Sequence, residues 1–242
     1  MAGLDERTER DLGRFASGVQ AALGEQLVCL ALYGSGVGGD FVPGRSDVNT
    51  AVVVTRVTAG VLDLLAPVVA RSRPHGFALP LIVDPEYLDR ARDTFPMELE
   101  DIRRQHRVLA GRNVFAAVHT DRNALRRAVE REARGKQLRL RALFLDTAGQ
   151  ATAFERVLAG SLKSFLVLLR HLLVLHGQPA PDGYGATLEA GETLVGPLPA
   201  MRDLLARRTG GARRPARLLR AGFAAYLDEV DRIVAAADRV DG

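Results

Sequence analysis

The sequence predicts an α/β (α+β) chain: a small mixed β-sheet with helices packed on it, followed by a helical bundle. Three observations carry this expectation. Residues 27–33 (LVCLALY) and 51–54 (AVVV) are short aliphatic runs bounded by turn formers, the pattern of buried strands. Stretches with helical spacing precede the first run and follow the second. Near Asp121 the composition then shifts to almost uninterrupted helix formers.

In chain order, Leu12, Phe15, Ala16, Val19 and Leu23 recur at helical spacing and Gly24 supplies a stop, so residues 5–23 are predicted as the first helix. Strands follow at 27–33 and 51–54, joined by a glycine-rich loop. Residues 58–72 are predicted as a helix kinked or interrupted at Pro67, and 77–83 (FALPLIV) as a third strand. Beyond Asp121, helices are expected at 122–147, 152–176, 188–208 and 217–239. A loop is expected around Gly177, Pro179, Pro181, Gly183 and Gly185, and another at 208–215 (RTGGARRP). The second of these helices has a wide apolar face (Leu162, Phe165, Leu166, Leu169, Leu172, Leu173), as the central helix of a bundle would. The expected domains are 1–120 and 121–242.

The whole chain has 242 residues, 47% of them hydrophobic, enough for an ample core. Its net charge is only +4 and spread along the chain, compatible with an anionic ligand, while nucleic acid is an unlikely partner. Lys136 and Lys163 are the two lysines, so the basic character is nearly all arginine. A single cysteine, Cys29, excludes a disulfide framework and reads as a small buried hydrophobe. The charged N-terminus lacks the apolar core of a signal peptide. The run Phe165 to Leu175 is broken by Arg170 and His171, too charged and short for a bilayer; no membrane partner and a cytoplasmic location are expected.

The chemistry concentrates at Gly34-Ser35 and at Ser46-Asp47-Val48-Asn49. Asp47 and Asn49, two apart on a strand, project from one face. Gly34 allows close backbone approach, and the N–H groups after it can cradle a phosphate. Gly34-x-Gly36-x-x-Gly39 also fits a dinucleotide-binding pattern. That pattern needs a helix opening out of the glycines and an acid about twenty residues on; Pro43 and Gly44 follow instead, and 51–55 hold no acid.

At these residues the sequence resembles the nucleotidyltransferase superfold, whose motif is Gly-Ser, about a dozen residues, then Asp-x-Asp on the next strand. Gly34, Ser35 and Asp47 match in type and spacing; position 49 departs, being Asn. The block from Phe95 to Gly111 resembles bacterial nucleotidyltransferase-domain proteins related to aminoglycoside (kanamycin) nucleotidyltransferases. The resemblance implies a nucleoside triphosphate, ATP among the candidates, in a cleft between two domains. Ser35 would hold a phosphate, and Asp47, Asn49 and a third acid would hold Mg²⁺. Asp84 is the candidate third acid, although Asp before Pro also reads as a helix N-cap. Glu98, with Asp101 second, maps to the base acting on an acceptor hydroxyl. Lys136 and Lys163 map to basic residues that the helical domain offers the triphosphate. The alternative for each is a solvated helix face. His106 has no His or Cys neighbour at ligand spacing.

Three functions are thus weighed. The first is a nucleotide-binding protein with a degraded metal site. The second is an active Mg-dependent nucleotidyltransferase acting on a hydroxyl of a small molecule or protein, its acceptor unknown. The third is a toxin–antitoxin-type or other interaction module on the same fold.

Overall fold

A computed structural model of the chain describes residues 4–147, 150–208 and 222–240. It divides into two compact units, Met1–Ala124 and Leu125–Gly242.

The first unit is built on a four-stranded mixed sheet in the order β3-β2-β1-β4. Helix α1 (Glu6–Leu23) opens where the Asp5 carboxylate accepts from the Thr8 N–H at 2.9 Å, and it closes at Gly24 with φ +51°. Strand β1 (Leu27–Tyr33) leads into a four-residue helical turn, α2 (Ser35–Gly38), which ends at Gly39 in the left-handed region. Strand β2 (Asn49–Val54) pairs antiparallel with β1, with Tyr33 opposite Asn49. Both faces are covered. Leu30, Leu32, Val52 and Val54 pack on α1 and on α3 (Ala59–Ser72), whereas Cys29, Ala31, Ala51 and Val53 pack on the other side. Burial on both faces is why these strands read as unbroken apolar runs rather than alternating ones.

Helix α3 runs on through Pro67 without interruption. The third strand is shorter than expected. Phe77 makes a lone parallel bridge to Val48, and β3 proper is Leu81–Val83, parallel to β2. Pro80 between them has no N–H for the ladder. Helices α4 (Pro85–Arg90) and α5 (Pro96–Arg104) then cover the Cys29 face, supplying Leu88, Leu99 and Ile102. An unexpected fourth strand, β4 (His106–Gly111), pairs antiparallel with β1 and sets His106 opposite Tyr33.

The second unit is helical: α6 (Arg122–Asp146), α7 (Ala151–Leu175), α8 (Gly183–Val195), α9 (Pro199–Arg208) and α10 (Phe223–Asp238). The single helix expected over 188–208 is two, split where Gly196 takes φ +79° and Pro197 follows. The loop expected around 177–185 is shorter, because α8 already begins at Gly183. Most of the loop expected at 208–215 and the predicted start of the last helix, 217–221, lie outside the described residues. Helix α7 is central as expected, with Leu162, Phe165, Leu166, Leu169, Leu172 and Leu173 almost fully buried. By length and composition its stretch Ala153–Leu175 is long and apolar enough to cross a membrane, contrary to the shorter run read from sequence, and 56% of the scored window is buried inside the protein.

Candidate functional site

The Gly-Ser and Asp-x-Asn segments meet at one end of the sheet. Gly34, between β1 and α2, adopts φ +73°, ψ −146°. A Cβ there would lie 3.2 Å from Asn49 Nδ2, so the Asn49 side chain covers the glycine backbone. Glycine is required twice, by conformation and by this close approach. The Val37 and Gly38 N–H groups donate to the Gly34 carbonyl at 3.0 and 3.2 Å. The phosphate cradle expected after Gly34 is therefore reduced to the first N–H groups of the turn. Ser35 Oγ is shut off from solvent and has no hydrogen-bond partner among the described residues. A buried hydroxyl in that state calls for a partner that the described residues do not supply.

Asp47 is exposed at the mouth of β2, with no ion pair or hydrogen bond among the described residues. Val48 between the two polar residues turns into the core shared with α1 and α3. By strand alternation Asp47 and Asn49 therefore face the other side, with Ala51 and Val53. Tyr33 shares that face. Burial pushes its phenol pKa up, and the charge of Glu98 adds to the shift. Glu98, exposed in the first turn of α5, thus comes within electrostatic reach of the same end of the sheet.

Asp84 does not join this group. It caps α4: its Oδ1 accepts from the Tyr87 N–H at 2.8 Å and its Oδ2 from the Val57 N–H at 3.4 Å. In the parallel β2–β3 ladder Val83 pairs with Val53, so Asp84 stands beside the far end of β2. Five residues of strand separate that end from Asn49, roughly 16 Å at about 3.3 Å each.

Lys136 and Lys163 belong to the second unit. Lys136 pairs with Glu132 at 3.0 Å, and its neighbours Arg134 and Arg141 pair with Asp238 and Asp231 at 2.9 and 3.2 Å. Lys163 is half-buried on α7, and Arg170, two turns on, is buried.

Sequence reasoning weighed His106 only as a metal ligand and did not place it or Gln105 beside the site, because it missed β4 and the turn into it. The imidazole of His106 lies with Nδ1 2.7 Å from the Ile102 carbonyl and Nε2 2.9 Å from Asn113 Oδ1, with its ring against Phe115. Gln105 presses its side-chain amide on Gly38, where a Cβ would meet Oε1 at 2.7 Å. The signal was present as the apolar Val108-Leu109-Ala110 ending at Gly111.

No protein-family model matches the chain, and no curated protein matches its sequence. Among solved structures, the spectinomycin adenyltransferase AAD(9) from Enterococcus faecialis, determined with ATP and spectinomycin, is similar over 96% of this chain and 99% of its own, with a TM-score of 0.57 and 15% identity. The chain has a nucleotidyltransferase-like fold. Antiparallel β1 and β2, and a helical turn that stops at Gly39, set it apart from the dinucleotide-binding pattern.

A nucleotidyltransferase-like fold brings Mg²⁺ into consideration, and the donor set can be tested against it. Hard divalent cations select oxygen ligands, and paired sites rely on carboxylates. Here one end of the sheet offers the Asp47 carboxylate and the neutral Asn49 carboxamide, while Asp84 is remote. No group of three or more His, Cys, Asp or Glu side chains converges among the described residues. These residues do not fit a two-ion site.

Proposed function

We propose that this protein binds a nucleoside triphosphate, ATP being the first to test, at Gly34, Ser35 and Asp47, and that its metal-dependent catalysis is weak or lost. The observation that carries the binding half is the enclosed Ser35 hydroxyl, without a partner among the described residues and set beside a glycine whose conformation lets a phosphate come close. The solved neighbour's ATP supports the choice of ligand. The observation behind weak catalysis is electrostatic. Two Mg²⁺ ions bring four positive charges, and a single carboxylate with a carboxamide offsets little of that. Phosphate binding would rest instead on backbone N–H groups; Lys136 and Lys163, which the family resemblance maps to the triphosphate, are the basic residues to substitute first.

A second reading, an active transferase passing a nucleoside monophosphate to a hydroxyl of a small molecule or protein, is favoured by one observation: Glu98 lies within electrostatic reach of Tyr33 on the site face. In that reading its carboxylate takes the proton of the attacking alcohol.

Titrating ATP with and without Mg²⁺ while following thermal stability separates the two. Stabilisation indifferent to Mg²⁺, with no pyrophosphate released toward a panel of hydroxyl acceptors, is expected. Asn49→Asp restores the second carboxylate and should make ATP stabilisation respond to Mg²⁺. Unchanged ATP affinity in both Ser35→Ala and Asp47→Ala would refute the site.

A further inference from the structure

A second concavity lies on the opposite face of the sheet. A cavity of about 220 Å³ opens between α1 and the end of α3. Its floor is aromatic: Phe15 and Phe77 are 4% and 2% exposed, their ring centroids 5.2 Å apart. Its rim is charged, with Asp11, Arg14, Arg71 and His75.

The one carboxylate is already engaged. Asp11, 7% exposed, accepts from the Arg14 guanidinium and lies 3.3 Å from His75 Nδ1. Arg71 is exposed and has neither an ion pair nor a hydrogen bond among the described residues. The rim therefore sets two guanidinium groups and an imidazole against a single satisfied carboxylate, over an apolar floor. Fixed cations at the mouth and apolar carbon below select a ligand with the complementary division. The volume falls below the roughly 300 Å³ at which sites for drug-sized molecules begin, so a single ring fits and a nucleotide does not.

We infer that this cavity binds a small organic anion, its aromatic or aliphatic body on Phe15 and Phe77 and its carboxylate or phosphate group on Arg71. The site stands independently of the nucleotide reading. Phe77 is bridged to Val48, which turns to this side while Asp47 and Asn49 turn to the other.

The test uses the full chain and isothermal titration with phenylacetate, phenyl phosphate, the neutral phenylacetamide and inorganic phosphate. At least one aromatic anion should bind, with the amide and inorganic phosphate ~10-fold weaker or more. Whichever of phenylacetate and phenyl phosphate binds tighter identifies the head group. Arg71→Gln, at an exposed residue without partners, should fold normally and lose ~10-fold or more in affinity, as expected for a charge-assisted hydrogen bond. Asp47→Ala should bind the anions as the wild type does, which separates failure here from failure at the nucleotide site. Dissociation constants above about 10 mM for all four probes, equal affinity for amide and anions, or unchanged affinity in Arg71→Gln would overturn the inference.

Discussion

At Gly34 the backbone turns with φ +73°, and the space where a side chain would begin is held by Asn49 at 3.2 Å. Gly34→Ala must therefore strain the turn and displace Asn49. It should lower stability by about 1–3 kcal/mol, read as a lower denaturation midpoint, and weaken ATP binding more than Ser35→Ala does. This residue was legible from sequence because Gly-Ser followed by an acid a dozen residues on is a local pattern. The rest of the neighbourhood was not. Tyr33 reads as one more apolar position at the end of a strand, and its approach to Glu98 joins residues 65 apart in sequence. Asp84 was half legible: Asp-Pro announced a cap, but its distance from Asn49 depends on β3 running parallel to β2, which no local pattern records.

At the scale of elements, Asp84 belongs to the start of α4. If capping is its role, Asp84→Asn should preserve stability, since Asn and Asp cap equally well, while Asp84→Ala should cost about 1 kcal/mol. Neither should alter the response of ATP binding to Mg²⁺; a changed response in Asp84→Asn would restore it as a ligand. The first helix and first two strands were readable because caps, glycine stops and aliphatic runs coincide there. Strand β4 was not, because His106 and Arg107 open it with polar side chains and only three apolar residues follow. The break between α8 and α9 was also missed. Gly196 and Pro197 supplied the local signal, and a tertiary contact consolidates it: Glu229 of α10 accepts from the Ala200 and Met201 N–H groups at 2.7 and 2.8 Å, capping α9 from another helix.

For the whole molecule, the two units carry buried carboxylates that answer acid in opposite senses. In the first, the Arg14 guanidinium holds Asp11 below its usual range, so Asp11 contributes stability above about pH 3.9 that is lost as pH falls through its lowered value. In the second, burial pushes Glu229 up despite its two N–H donors. Its contribution is complete below about pH 4.3 and is lost as pH rises through the raised value. Amide exchange, corrected for intrinsic rates, should therefore show α1 loosening and α9 tightening on acidification. Asp11→Asn and Glu229→Gln should each flatten only the trend of its own unit.

The chain contains four tyrosines and no tryptophan. Tyr33, on the face of the candidate site and within electrostatic reach of Glu98, is consequently a native optical reporter. Ligand entry that shifts Glu98 should change the phenol emission, and the change should vanish in Tyr33→Phe. Occupancy could then be followed by light alone, without labelling the chain.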